Sequence, residues 1–117
     1  MQRAAAPPME PLLLVMSNLP DRESALELAR GLVEARLAAC VNVLAECTSV
    51  YRWKGKTETA GEVPVLIKTR ESLFPRVEEA IRRVHPYELP EVVAVPVTAG
   101  LAAYLEWVEQ ETASNPA

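Results

Sequence analysis

One histidine and a few aromatic and basic residues are the parts of this sequence that could do chemistry. His85 is the only histidine among the 117 residues, and it ends an amphipathic helical segment directly before Pro86. A neutral imidazole is the commonest protein ligand of transition metals, so His85 is the candidate metal ligand. The position also suits a histidine that caps the helix by bonding its last carbonyl groups. The sequence leaves both interpretations open.

A second group of residues alternates aromatic and basic side chains. Residues 51–54, Tyr-Arg-Trp-Lys, occupy the predicted tip of a hairpin, where they could stack on a base or bind an anion. Packing between subunits is the alternative interpretation. Lys68 interrupts an apolar strand and is predicted to face a cleft. Its candidate acidic partners are Glu62, Glu88 and Glu91.

The two cysteines indicate neither a disulfide nor a metal site. Cys40 and Cys47 lie in one predicted strand, roughly 23 Å apart if it is regular, with side chains on opposite faces. No disulfide within the chain can join them at that distance, and within one protomer they cannot share one zinc ion. The sequence also lacks a nucleophile elbow, a glycine-rich phosphate loop and an activated-cysteine signature, so we predict that the protein is not an enzyme.

Hydrophobic periodicity predicts seven elements in the order strand, helix, strand, strand, helix, strand, helix. The predicted strands are 12–18, 39–54, 56–70 and 92–97, and the predicted helices are 21–37, 72–84 and 101–111. Ser72 is the predicted cap of the second helix, and Val33 and Val84 belong to the predicted apolar stripes. This order predicts an α+β fold of the ferredoxin-like split βαβ type: β-α-β-β-α-β on an antiparallel sheet, followed by a C-terminal helix.

The two central strands form a hairpin that is too long for the rest of the sheet. Its arms reach roughly 50 Å at about 3.3 Å per residue, whereas the outer strands reach about 20 Å. Gly61 and Pro64 mark an expected bulge in the second arm. An open edge carrying Val50, Tyr51 and Trp53 would aggregate, so we expect the long strands to pair with other copies of the chain.

Composition narrows the classes of partner. The net charge is −4, and the longest basic run is the pair Arg82 and Arg83, so no nucleic-acid surface is expected. The longest apolar run, residues 12–16, is too short to span a membrane and makes a poor signal peptide, so we expect a cytoplasmic protein without membrane contact. Residues 12–111 are predicted to form one domain between flexible tails at 1–11 and 112–117.

Several of these segments together resemble the CutA divalent-cation tolerance family. The matching blocks are residues 38–42 (AACVN), 49–56 (SVYRWKGK), 68–69 (KT), 85–91 (HPYELPE) and 104–107 (YLEW). They occur in the family's order and spacing, from about residue 12 to 110. The resemblance implies a ferredoxin-like protomer, similar to the PII signalling proteins, that assembles as a homotrimer through its long strands.

The resemblance also implies a role in tolerance of copper and other divalent ions. Some bacterial members have a proposed copper site with a cysteine at the end of the first strand and two histidines before the Pro-Tyr. Here Ser17 and Val84 replace two of these ligands, and His85 alone remains. We therefore expect Cu²⁺ or another divalent cation to bind weakly, with none tightly bound.

Two further functions stay open beside metal tolerance. The first is a PII-like module that holds a small anion or nucleotide in the cleft between subunits. Its predicted ligand-binding residues are Trp53, Lys68, Tyr87, Glu88 and Glu91. The second is an enzyme with a cysteine nucleophile, for which Cys40 and Cys47 are the candidates.

Overall fold

The computed structural model describes residues 10–113, and within them the predicted order of strands and helices is present, except that two strands replace the predicted strand 39–54. The strands are β1 (Leu12–Leu19), β2 (Cys40–Val43), β3 (Cys47–Trp53), β4 (Lys56–Arg70) and β5 (Val93–Val97); the helices are α1 (Arg22–Glu34), α2 (Phe74–Val84) and α3 (Ala102–Glu111). A short 3₁₀ turn, Glu71–Leu73, leads into α2. The predicted α+β class and the predicted C-terminal helix are confirmed.

The sheet has the order β2-β4-β1-β5, and every pairing is antiparallel. β4 is the central strand, since β1 pairs with its second half and β2 lies along its other edge. β3 pairs with the first half of β4 only. This arrangement is the ferredoxin-like one, with the two arms of the hairpin adjacent and β1 between β4 and β5.

The helices α1 and α2 pack on one face of this sheet and form the core with it. Every second residue of β4 from Val63 to Thr69 is buried, which matches the alternation in the sequence. These residues meet Leu28 and Leu32 of α1 and Ile81 of α2. Val33 and Val84, predicted for the helix stripes, are instead 42% exposed each, because they lie at the margins of the packed faces.

The first arm of the hairpin is not one strand, which corrects the sequence prediction. β2 pairs with β4 from Cys40 opposite Lys68 to Val43 opposite Val65, and β3 begins with Cys47 opposite Glu62. Three residues of the first arm, 44–46, therefore lie opposite only two residues of β4, 63–64. One extra residue therefore lies in the 44–46 segment, as in a β-bulge. The sequence predicted an irregularity in the second arm, at Gly61 and Pro64. It lies in the first arm instead, and the second arm, β4, is one continuous strand.

The bulge changes which way the cysteines point. Directly opposed residues of an antiparallel pair share a face, and Lys68 and Glu62, six residues apart in β4, also share one. Cys40 and Cys47 therefore lie on the same face of the sheet, and the prediction of opposite faces was wrong. Both are free thiols, still about 20 Å apart along β4 at about 3.3 Å per residue.

Two element ends differ from the sequence prediction. α1 ends at Glu34 and not near Leu37, and Arg36 follows with a φ of 60°, a left-handed conformation typical of a helix end. Ser72 does not cap α2: it lies in the 3₁₀ turn, where its N–H and hydroxyl donate to the carboxylate of Glu10. Pro75 stands in the first turn of α2, where its missing N–H costs nothing.

The described parts of the predicted tails are attached to the domain. Residues 1–9 and 114–117 lie outside the described residues. Glu10 bonds Arg70 at 2.9 Å, and Thr112 is 2% exposed and accepts a hydrogen bond from the same guanidinium. Arg36 donates to the backbone of Gln110 and Ala113, which fixes the end of α3. None of the described helices is long and apolar enough to cross a membrane.

Candidate functional site

A cavity of about 710 Å³ lies between the hairpin and the loop that joins α2 to β5. β3 forms one wall of the cavity, and its hairpin turns at Lys54 and Gly55, both with positive φ (51° and 81°). The loop begins where Pro86 ends α2. The lining residues are Ser49, Val50, Tyr51, Arg52, Trp53, Glu62, Tyr87, Glu88, Leu89 and Glu91. We call this cavity the hairpin pocket.

The hairpin pocket is acidic. Three carboxylates, Glu62, Glu88 and Glu91, line it against a single cationic residue, Arg52. Such a surface attracts cations and repels anions. The pocket therefore differs in charge from the anion-binding cleft expected from the sequence.

The three carboxylates differ in how they are compensated. Glu88 lies 3.7 Å from Lys54, but both side chains are more than 70% exposed, so water screens this pair. Glu91 accepts a hydrogen bond from the side-chain amide of Asn18 at 3.0 Å. Glu62 is only 8% exposed and joins none of the ion pairs or side-chain hydrogen bonds formed among residues 10–113.

Three aromatic residues, Tyr51, Trp53 and Tyr87, stand beside these carboxylates. The Nζ of Lys54 already lies 5.5 Å from the centre of the Trp53 ring, a cation–π distance. Burial raises the pKa of the Tyr87 hydroxyl, and the nearby charge of Glu62 and the Tyr51 hydroxyl raise it further. Tyr87 therefore stays a neutral hydrogen-bond donor at physiological pH.

His85 lies next to the pocket, but both of its ring nitrogens are occupied. The Tyr87 N–H donates to Nδ1 at 3.3 Å, so the proton is assigned to Nε2, which donates to the carbonyl oxygen of Asn18. The ring is 8% exposed and packs edge-on against Tyr87, with centroids 4.5 Å apart. His85 does end α2, yet through its backbone N–H to Ile81; its ring bonds β1 rather than the last helical carbonyls.

These contacts do not fit a copper site on His85. A metal ion would have to replace the Tyr87 N–H or the Asn18 carbonyl at a largely buried ring. Across the described part of the chain, no three His, Cys, Asp or Glu side chains come together closely enough to hold a metal ion. Ser17, which replaces a candidate ligand, is buried and its hydroxyl has no hydrogen-bond partner there.

The structure separates Lys68 from the other predicted ligand-binding residues. Trp53, Tyr87, Glu88 and Glu91 line the hairpin pocket as a group, whereas Lys68 lies six residues along β4 from Glu62, about 20 Å away. Its Nζ bonds the Asn42 side chain and lies 3.7 Å from the Cys40 sulfur. None of the acidic partners proposed for Lys68 is its partner.

Two important residues of the pocket were not assigned to it from the sequence. Glu62 was considered only as a partner of Lys68, and Tyr51 only as part of the hairpin tip. The bulge at 44–46 sets the register that places Glu62 opposite Cys47 and Tyr51 opposite Glu58. A charged residue at the start of the buried alternation of β4 is the signal that could have indicated Glu62.

The fold and the site together define a class: a ferredoxin-like α+β domain with a long hairpin and an open, acidic ligand pocket. The family described as "CutA1 divalent ion tolerance protein" matches residues 13–111. The chain belongs to this family.

Individual relatives agree with this assignment. The chain is 53% identical over 95 residues to mouse "Protein CutA", covering 81% of this chain and 54% of the mouse protein. It therefore spans about half the length of this relative. The solved structure of the divalent cation tolerance protein from Thermus thermophilus has a TM-score of 0.85 at 40% identity, covering 87% and 99% of the two chains. CutA1 from Oryza sativa gives 0.86 at 39% identity, covering 91% and 97%.

Proposed function

We propose that this protein is a homotrimeric, non-enzymatic cation-binding protein that acts in tolerance of divalent ions. Membership of the divalent ion tolerance family supports the role. The observation that carries the binding proposal is the hairpin pocket, with three carboxylates against one guanidinium. Catalysis is not part of the proposal, because the family is described by tolerance of divalent ions, and within residues 10–113 neither Cys40 nor Cys47 hydrogen-bonds the ring of His85.

The trimer is supported by two surfaces that lack a partner within residues 10–113. The outer half of the hairpin, β3 with the start of β4, has no third strand beside it. The sheet face opposite α1 and α2 is covered by α3 at its Leu12 end. Beyond that end, one row across three strands joins Leu66, Met16 and Val93, and the next joins Lys68, Leu14 and Val95. Pairing with other copies would satisfy both surfaces.

Metal binding is proposed to be weak. Carboxylate oxygens suit hard cations such as Mn²⁺, and the imidazole and thiolate ligands that give tight copper sites are absent from the pocket lining. The carboxylates of Glu62, Glu88 and Glu91 are not close enough for a shared inner coordination shell, so the cation keeps most of its water. Cu²⁺ is therefore bound with micromolar affinity or weaker, and no divalent ion is retained through purification.

The alternative predicted from the sequence is a PII-like module for a small anion or nucleotide. Among the residues that line the hairpin pocket, Arg52 is the one cationic side chain; Lys54 stands at its edge, where it is paired with Glu88 and Trp53, and Lys68 lies elsewhere. Desolvating an anion beside the buried Glu62 is unfavourable. The pocket therefore favours a cation, and anions are included in the binding experiment below as ligands that should not bind.

We also propose a cytoplasmic location. The described cysteines, Cys40 and Cys47, are free thiols on one sheet face, which is typical of proteins in a reducing compartment. Fractionation of cells that express the tagged full chain tests this proposal. Recovery in a periplasmic or organellar fraction would contradict it.

Titration calorimetry on the full chain at pH 7 tests the binding function. We expect weak, saturable binding of Mn²⁺, binding of Cu²⁺ that is micromolar or weaker, and none of citrate or ATP. The double variant Glu62→Gln/Glu91→Gln should lose Mn²⁺ binding. The control is Glu27→Gln/Glu34→Gln, two α1 positions outside the pocket, with the same change in net charge. Mn²⁺ binding that is absent, or equal in both variants, would contradict the proposal.

A further inference from the structure

Glu62 lines the hairpin pocket and has no partner for its charge within residues 10–113. The residue is only 8% exposed, and no cation or donor of these residues bonds its carboxylate. Its oxygens are not among the side-chain atoms that are sealed from solvent without a partner, so the carboxylate keeps contact with solvent in the pocket. A mostly buried carboxylate that opens on a cavity and lacks a partner offers a pairing site to a cation that enters the cavity.

The surroundings of Glu62 distinguish between kinds of cation. Tyr51, Trp53 and Tyr87 line the same cavity, and aromatic faces attract ammonium groups that have lost part of their hydration. The chain itself provides an example, since the ammonium of Lys54 lies over the Trp53 ring. A small divalent ion that keeps its hydration shell gains little from such rings, whereas an organic ammonium contacts them directly.

The size and lining of the cavity also favour an organic cation over a hydrated metal ion. Its volume of about 710 Å³ lies within the range of roughly 300–1,000 Å³ found for small-molecule sites. A hydrated ion would fill a small part of it. Leu89, which is 70% exposed in the chain, adds apolar surface that suits an alkyl or aryl body.

We propose that the hairpin pocket selects an organic ammonium ligand: a protonated amine that pairs with Glu62, on an apolar body that packs among Tyr51, Trp53 and Tyr87. The inference rests on the proposed cation-binding function and names the ligand class of that site. Glu91, held by Asn18, offers a second acceptor at the loop side of the pocket. Arg52, the one cationic residue of the lining, opposes an ammonium ligand, but the three lining carboxylates outnumber it.

The test uses three ligands of nearly equal shape on the full-length protein at pH 7. These probes are phenethylammonium, the neutral 2-phenylethanol and the anionic 3-phenylpropionate, each followed by calorimetry and by tryptophan fluorescence. We expect phenethylammonium to bind at least tenfold more tightly than the alcohol, and the carboxylate not to bind. Equal affinity of the amine and the alcohol would overturn the inference, because it would mean that Glu62 contributes no charge recognition.

Variants then identify the residues responsible. Glu62→Gln should weaken amine binding at least tenfold, while Glu27→Gln leaves it within twofold. Trp53→Ala at the half-buried hairpin tip is a second variant that does not touch the core, and it should also weaken binding. If Glu62→Gln instead changes the oligomeric mass and leaves amine affinity intact, Glu62 is a subunit contact and the inference fails.

The outcomes also separate this inference from the proposed function. Mn²⁺ binding that is lost in the Glu62→Gln/Glu91→Gln variant, without any amine binding, would retain the cation-binding function and reject the ammonium ligand. Amine binding without Mn²⁺ binding would support the inference and reject the metal part of the function. Absence of both would reject both proposals.

Discussion

At the scale of single residues, the structure gives His85 a different role from either one predicted. A metal ligand needs a free lone pair, and a capping ring would bond the carbonyls of α2. The ring instead joins the loop after α2 to the end of β1, through Asn18 on one side and Tyr87 on the other. His85 thus holds the Tyr87 side of the hairpin pocket in place.

The first prediction concerns His85→Ala. Removing the ring leaves the Asn18 carbonyl and the Tyr87 N–H without partners, so the free energy of unfolding should fall by about 1–3 kcal/mol. Cu²⁺ affinity should not change. Chemical denaturation and calorimetry measure the two quantities, with Val84→Ala, a half-exposed neighbour, as the control. Loss of Cu²⁺ binding at unchanged stability would restore the ligand interpretation.

The second prediction concerns Glu10 and acid. Burial acts to raise the pKa of Glu10, but hydrogen bonds from Ser72 and the charge of Arg70 outweigh it, so the pKa lies below its usual value of 4.5. A carboxyl with a lowered folded-state pKa stabilises the fold above its unfolded pKa, and this contribution is lost as pH falls through the folded pKa. Glu10→Gln should therefore destabilise the protein at pH 7, by about 1 kcal/mol.

The difference between wild type and Glu10→Gln should then shrink as the pH is lowered below about 4. Denaturation curves at pH 7, 5 and 3.5 measure it. Glu71→Gln, an exposed carboxylate one residue before Ser72, is the control and should show a much smaller difference at pH 7. A Glu10→Gln effect that grows toward low pH would contradict the assigned pKa shift.

At the scale of elements, the hairpin decides where the site forms. Its turn requires two consecutive residues with positive φ, which matches the right-handed twist of the strands and favours glycine at the second position. Its bulge sets the register of β3 independently of β2. Together these two local features place Tyr51 and Trp53 against the Tyr87–Glu91 loop.

The third prediction compares two glycines with opposite expected signs. Gly55→Ala should lower the stability by about 1 kcal/mol, because a Cβ is disfavoured at a φ of 81°. Gly31→Ala, in α1 with nothing within 4 Å of the added Cβ, should raise it by about 0.5–1 kcal/mol. Thermal unfolding at matched protein concentration measures both changes. Shifts in the same direction would show that the turn geometry does not control hairpin stability.

At the scale of the whole molecule, the elongated domain is best explained by assembly. It measures 63 × 30 × 23 Å, and its long axis exceeds what a compact domain of this size needs. The two-stranded half of the hairpin and the apolar sheet face are both costly to leave in water. The hairpin pocket adjoins the same hairpin, so neighbouring copies would lie close to it.

The fourth prediction concerns this assembly. Light scattering should give about three times the chain mass of 12.9 kDa. Val95→Lys should dissociate the assembly, because it places a charge on the apolar sheet face. Val33→Lys is a closely matched control, since Val33 on α1 is 42% exposed and Val95 is 43% exposed in the single chain. A monomeric wild type, or a Val95→Lys protein that keeps the full mass, would contradict the trimer.

Much of the fold could be predicted from the sequence because it depends on local periodicity. The alternation from Val63 to Thr69 determined the buried face of β4, and Pro86 determined the end of α2. The matching segments also identified the family, since its blocks occur in order along the chain. In the candidate site, Trp53, Tyr87, Glu88 and Glu91 line one cavity, because they lie on the hairpin and the loop that the topology brings together.

Only the tertiary structure decided the remaining features, and the reason is that each depends on contacts between distant residues. A single extra residue at 44–46 reverses the face of everything on one side of it, and composition does not show which arm contains it. The ring of His85 finds its partner 67 positions away at Asn18. Lys68 and Glu62 are six residues apart in β4, so Lys68 lies outside the pocket whereas Glu62 lines it. Strand register, and not residue type, determines where each charge lies.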